Sequence, residues 1–243
     1  MQSFRHRVLV AGLASVFSVG AQAQQVYGTP GSPPWDNADG TGAWLSDHNA
    51  PQAVAAGKAV MVLAADGSEA GWAVIGTDLD GRKKWGVRKF QAVSDVAAEP
   101  GPPGCAYVGM RAAQWAGVET PQVGRLDLAT GKYAPFRTAE GERLTVPVAT
   151  KEENAILRGL AVHGQTLAVS LSGPDEVRLF DKDTMAPQGR VPVPAPRGVC
   201  YRGDGALLVI SGKGVIALSG NARAEVVAPV LENPAGIAVD GGG

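Results

Sequence analysis

The chain is 243 residues long, 45% hydrophobic and 19% charged, with 22 Lys and Arg against 23 Asp and Glu for a net charge of −1. That balance describes an ordinary globular protein and carries no electrostatic footprint for nucleic acid or an anionic membrane surface. Its 33 Gly and 17 Pro suit a fold of many short strands joined by tight turns.

The first residues combine a short basic region (Arg5, Arg7), the apolar stretch Val8-Leu-Val-Ala-Gly-Leu-Ala-Ser-Val-Phe-Ser-Val-Gly20, and the small-x-small site Ala21-Gln-Ala23. These are the three parts of a secretory signal peptide, so residues 1–23 are expected to be removed and the mature chain to be exported. The apolar stretch is shorter than the roughly 20 residues a membrane-spanning helix needs, and no later window approaches that length. Residues 24–48 read as an N-terminal extension. Within it, Trp35-Asp-Asn-Ala-Asp-Gly-Thr-Gly42 is rich in Asp and Gly, but Ala38 breaks the spacing of a calcium loop, and the segment reads as a plain turn.

From residue 49 onward the chain repeats. Leu157-Arg-Gly-Leu-Ala-Val-His-Gly164, Pro196-Arg-Gly-Val-Cys-Tyr-Arg-Gly203 and Pro234-Ala-Gly-Ile-Ala-Val-Asp-Gly241 share one pattern, with first glycines at 159, 198 and 236 and hence spacings of 39 and 38. Pro51-Gln-Ala-Val-Ala-Ala-Gly57 is a weaker copy. An apolar run follows each complete copy: Val60–Leu63, Leu167–Leu171 and Leu207–Ile210. A third strand then ends in an acidic or small turn, as in Thr77-Asp-Leu-Asp-Gly81, Asp127-Leu-Ala-Thr-Gly131, Asp181-Lys-Asp-Thr184 and Ser219-Gly-Asn221. Fourth strands are predicted at Lys83–Val87, Lys132–Phe136, Arg190–Val193 and Glu225–Val227. The second unit is the least regular. Its first strand is predicted at Val93–Ala97 and its second at Cys105–Met110, with Glu99-Pro-Gly-Pro-Pro-Gly104 between them and a long connection over 137–155. Lys151–Leu157 is the best helical candidate after the leader, one or two turns at most.

Four short strands per unit of about 40 residues is the signature of a propeller blade. The fold class predicted is all-β, a β-propeller with four blades plus the start of a fifth, at approximately 49–92, 93–136, 155–193, 194–227 and 228–243. A propeller that stops after the first strand of a blade leaves open sheet edges. The sequence is therefore expected to be part of a longer propeller, the alternative being a small one closed by residues 24–48. Cys105 and Cys200 fall in non-adjacent blades and are expected to be separate buried thiols.

The repeats resemble known families. Pro234-Ala-Gly-Ile-Ala-Val-Asp-Gly241 looks like the opening of an NHL-type repeat. Leu126-Asp-Leu-Ala-Thr-Gly-Lys132 and Thr77-Asp-Leu-Asp-Gly-Arg-Lys-Lys-Trp85 resemble the turn of PQQ-like quinoprotein blades. The resemblance covers most of residues 50–240 and implies the propeller fold.

In such a fold, the loops leading into first strands and those joining second to third strands share one rim of the central channel, where a rigid scaffold positions functional side chains. The residues placed there are His48 and Asn49, Glu69 in the Asp66–Gly71 loop, Trp115, Arg158 and Arg197. The two arginines hold the same repeat position in adjacent blades. Their guanidinium forks suit a carboxylate or phosphate; equally, each suits a carboxylate or carbonyl of the neighbouring blade. His163 is placed on the opposite rim. With three histidines in all and no Cys or His at ligand spacing, no zinc site or Ser-His-Asp set is readable. No catalytic residue, metal site or cofactor is assigned. Three functions compete: a binding module for an unidentified small molecule or protein, a quinoprotein-like oxidoreductase, and a metal-dependent lactonase or hydrolase to which Glu69 and Asn49 would contribute.

Overall fold

The computed structural model describes residues 8–9, 51–65, 74–80, 83–87, 90, 92–101, 104–113, 118–212, 214–219, 223–228, 232 and 234–239. After a two-residue strand β1 (Val8–Leu9), the first blade runs β2 (Pro51–Ala56), β3 (Met61–Ala65), β4 (Val74–Thr77) and β5 (Lys83–Val87). The second begins with β6 (Val93–Ala98), β7 (Cys105–Met110) and β8 (Gln122–Asp127), followed by a hairpin of β9 (Phe136–Thr138) and β10 (Gly141–Arg143) and by β11 (Thr145–Pro147). The third comprises β12 (Ile156–His163), β13 (Thr166–Ser172), β14 (Glu176–Asp181) and β15 (Pro187–Pro192). The fourth comprises β16 (Pro196–Tyr201), β17 (Leu207–Ser211), β18 (Gly214–Ser219) and β19 (Arg223–Ala228), and β20 (Ala238–Val239) opens a fifth.

Each of the four units is one antiparallel four-stranded sheet, in the orders β2-β3-β4-β5, β6-β7-β8-β11, β12-β13-β14-β15 and β16-β17-β18-β19. β20 pairs antiparallel with β1, which lies inside the expected signal peptide. The inner strands β2, β6, β12, β16 and β20 succeed one another around a channel. This is a β-propeller of four blades and the inner strand of a fifth. The described residues contain no helix long and apolar enough to cross a membrane.

Hydrophobic clusters sit between blades rather than within one. In β13, Leu167, Val169 and Leu171 point back to the second blade's Tyr107, Val123 and Phe136, while Ala168 points forward to Val199 and Val209. In β17, Leu207 and Val209 face the third blade, and Leu208 and Ile210 face Ile237 and Val239 of the fifth. A middle strand buried on both faces reads as an unbroken apolar run, because alternate side chains enter different cores. Each such Leu, Ile or Val side chain contributes roughly 1.5–3 kcal/mol of transfer free energy.

Two features of the second blade differ from the sequence expectation. Its fourth strand is not Lys132–Phe136: the outer position is filled by β11, with Thr145, Val146 and Pro147 opposite Gly124, Val123 and Gln122. Lys132–Pro135 follows only the end of β8, through the Asp127 N–H to Lys132 O and Ala134 N–H to Arg125 O bonds. Pro135 has no N–H to continue the ladder, and Phe136 turns into the core shared with the third blade. The segment 137–155 is thus a hairpin plus the true outer strand. Lys151–Asn154 forms a turn and not a helix. It is docked on the third blade by Glu153, which accepts from Arg178 and from the Thr150 N–H at 2.7 Å. Cys105 on β7 and Cys200 on β16 are free thiols in non-adjacent blades, half-buried instead of fully buried.

Candidate functional site

The four bladed inner strands share one irregularity. Ladder register shifts between Pro51 and Ala53, Val93 and Asp95, Leu157 and Gly159, and Pro196 and Val199. A β-bulge leaves its extra residue outside the ladder and re-aims its side chain. The residues so released include Ser94, Arg158 and Arg197, all at the end of the channel where the inner strands begin. The bulge brings consecutive inner strands into backbone contact: a Cβ added to Gly159 would lie 2.9 Å from Arg197 O, and one added to Gly198 would lie 2.9 Å from Ala235 O. This is why β12 and β16 carry glycine there, where β2 carries Ala53 and β6 carries Asp95.

The inner strands enclose a cavity of about 1170 Å³. On its first rim stand Arg111, Arg158 and Arg197, together with Ser94, Ser172 and Asp175. Arg158 is exposed, and its Nε donates to Ser172 Oγ of its own blade at 2.9 Å. Arg197 is exposed, and one Nη donates to the carbonyl of Pro234 in the next blade at 3.1 Å. Each bond uses one edge of a guanidinium. Among the described residues, no acceptor engages the Nη groups of Arg158 or the Nε of Arg197. The carbonyl of Arg197 itself accepts from Ser170 Oγ, which fixes the backbone of that bulge against the third blade.

Asp95 lines the same cavity, one residue deeper than Ser94. Its Oδ2 accepts from the Leu160 N–H of the third blade at 2.6 Å. Desolvation of this half-buried carboxyl between blades pushes its pKa up to about 7, against the lowering effect of the Leu160 and Val96 N–H groups. At the far end of the channel the rings of His163 and Tyr201 lie 5.2 Å apart. Burial raises the Tyr201 hydroxyl to about 12, and the Cys200 thiol is likewise raised to about 12. These groups remain protonated at neutral pH. Among the described residues, no three His, Cys, Asp or Glu side chains converge as metal ligands.

Of the residues singled out from the sequence, Arg158 and Arg197 border one cavity from adjacent blades, and His163 stands at the other end of it. His48, Asn49, Glu69 and Trp115 lie outside the described residues. Sequence reasoning passed over Arg111 and Asp95. Aligning Val93-Ser-Asp-Val with Leu157-Arg-Gly-Leu places Asp95 at the repeat glycine, a signal that was available. Arg111 had none, because it follows β7 in a loop whose length differs between blades.

No protein-family profile and no curated protein sequence matches the chain. Solved structures do match in shape. The β-propeller domain of Cps50 (Swd1) from Myceliophteria thermophila aligns with a TM-score of 0.53 at 15% identity, over 75% of this chain and 58% of that one. A streptogramin B lyase aligns with a TM-score of 0.50 at 14% identity, over 78% and 72%. A gluconolactonase from Xanthomonas campestris aligns with a TM-score of 0.49 at 20% identity, over 70% and 59%, so the chain spans about three-fifths of that protein's length. At these identities the likeness to the first two is one of fold, and by fold this chain is a β-propeller protein.

Proposed function

We propose that the protein is an exported binding module that takes a carboxylate- or phosphate-bearing ligand at the first rim of its channel. The observation that carries this reading is the pair of exposed, repeat-equivalent guanidinium groups of Arg158 and Arg197. Each is anchored through one edge on the wall of a cavity large enough for a small organic molecule. Anchoring in this way pre-orients the remaining N–H donors and lowers the entropy lost when an anion is bound.

The test is a thermal-shift screen of organic phosphates and di- and tricarboxylates, followed by titration calorimetry of any that stabilise the protein. Arg158→Gln and Arg197→Gln are each expected to weaken binding about 10- to 100-fold, the loss of one charge-assisted hydrogen-bonded contact. Unchanged affinity in the double variant would overturn the reading.

The blades themselves are read as NHL-like in the inner strands and PQQ-like at the junction of the first two blades. There Trp85 Nε1 donates to Leu128 O at 3.0 Å, and the ring lies against Gly131 of the Asp127–Gly131 turn. That contact is a blade-docking device and does not by itself imply quinone chemistry. Export rests on the pattern of residues 1–23. It is tested by N-terminal sequencing of the protein recovered from outside the cytoplasm, which should begin at Gln24.

A further inference from the structure

Ser170 is a fully buried hydroxyl in an otherwise apolar middle strand, between the equally buried Val169 and Leu171. In the ladder it stands opposite the bulge glycine Gly159. The same place is held by Ala64 in the first blade and Gly109 in the second. In the fourth it falls to Ile210, between Val209 and Ser211. The fold therefore needs no hydroxyl there, and a buried one costs stability unless its proton finds an acceptor.

The acceptor is at the candidate site. Ser170 Oγ donates to the carbonyl of Arg197 in the next blade and lies 3.5 Å from the carbonyl of Gly159. Each of these carbonyls belongs to a bulge that carries a rim arginine. Two residues on, along the same face of β13, Ser172 Oγ accepts from Arg158 Nε at 2.9 Å. One strand thus ties down both arginines, Arg158 by its side chain and Arg197 by its peptide. Arg197 and Gly198 have no partner in the β16–β17 ladder, so that ladder does not set the peptide plane after Arg197. Holding the carbonyl fixes the rotation about its Cα–C bond, and with it the direction in which the Arg197 side chain leaves the backbone. The two arms are rooted close together, since a Cβ on Gly159 would stand 3.1 Å from Gly198 Cα.

We infer that Ser170 is a positioning residue for the anion site. By locking the Arg197 bulge onto the Arg158 bulge it gives the two guanidinium groups one fixed separation. The rim then selects ligands with two anionic groups at the matching spacing over ligands with one. This inference rests on the anion-binding reading above and names the class of anion the site selects. Two arms on independently moving bulges would have to be ordered anew for every ligand. Two arms in one frame take a dianion of the right length as a single event, and the advantage is lost when the length does not match.

Straight-chain dicarboxylates from malonate to adipate are the probes, each beside its monomethyl ester, which keeps the length and loses one charge. They are titrated calorimetrically into the full chain. In the unsubstituted protein one length is expected to bind about tenfold tighter than the others. Ser170→Ala should cut that preference below about threefold and leave the affinity for the monoesters within about twofold. Ala64 and Gly109 show that the fold accepts a small apolar residue at this place, and Ser170→Gly repeats the test if Ser170→Ala does not fold. A merely structural loss would act in every background. In Arg197→Gln, by contrast, Ser170→Ala should change dicarboxylate binding by less than about twofold, because the residue it acts through is gone.

Four results would overturn the role of Ser170 and leave the arginine site standing: dicarboxylate binding without a length preference, a preference that survives Ser170→Ala, an equal loss in the Arg197→Gln background, or binding of other anions of the screen but of no dicarboxylate. Absence of binding by every dicarboxylate, with no stabilisation by any anion of the screen, would overturn both readings.

Discussion

At the scale of single residues, the same junction is solved twice with different chemistry. Between the first two blades, Trp85 supplies a flat ring against Gly131 and an N–H to Leu128 O. Between the second and third, the turn Asp181–Met185 takes the place of Asp127–Gly131, and each Asp caps its turn by accepting from the Thr three residues on. Among the described residues, no Trp lies there. Phe136 supplies the ring, and Arg125, whose guanidinium lies 4.9 Å from that ring's centroid, supplies the N–H to Lys182 O at 3.3 Å and an ion pair to Asp183 at 2.6 Å. Arg125 also donates to Ala134 O at 2.9 Å, so little of its hydrogen-bonding capacity is left unused. Trp85→Phe keeps most of the ring but leaves Leu128 O without its donor. It is expected to cost about 2 kcal/mol, read as a lower denaturation midpoint in urea.

At the scale of elements, the bulge in β12 and in β16 does two things. It sends a side chain toward the channel rim and brings the next strand within backbone contact. Glycine is required only for the second. Gly198→Ala would push a methyl group to 2.9 Å from Ala235 O, a backbone atom that cannot rotate away. A loss of about 1–3 kcal/mol is expected, as for overpacking elsewhere. Gly203, in the turn of the same strand pair, has open space where its Cβ would go, and Gly203→Ala should change stability by less than about 0.5 kcal/mol. Equal effects of the two changes in a thermal melt would contradict this account of the repeat. The β9–β10 hairpin is the other element-scale lesson. Pro135 ends one partial outer strand, and Thr145–Pro147 completes it after an excursion, so the blade closes despite an insertion.

At the scale of the whole molecule, cohesion resides in the cores between blades, and the polar links across them respond to pH in opposite senses. Glu153 is held below the ordinary carboxylate range by the Arg178 guanidinium. Its contribution is present above the unfolded-state value and is lost as pH falls. Asp95 is the reverse case, with a folded-state pKa of about 7 against the ordinary aspartate value of 3.8. Between those values the native state binds more protons than the unfolded state, so stability must fall as pH rises from about 4 to about 7 and level off above. Asp95→Asn should remove that decline and raise the melting temperature at pH 8 relative to pH 5. A parallel pH profile in the variant would show that Asp95 ionises in the folded protein as freely as in the unfolded chain.

The sequence by itself determined the blades. Spacings of 39 and 38, middle strands apolar on both faces, and Asp-x-x-Thr turns are local or periodic features, and each follows from the short-range geometry of strands and turns. It also named Arg158 and Arg197, because equivalent positions in a repeat occupy equivalent places around an axis. Only the tertiary structure decided that Arg111 of the second blade shares a cavity with them. It also decided that Arg125 and Phe136 together stand in for an indole, and that Lys132–Phe136 yields its outer position to Thr145–Pro147. Those outcomes depend on how inner strands pack radially and on contacts between residues tens of positions apart. No periodicity along the chain encodes that convergence.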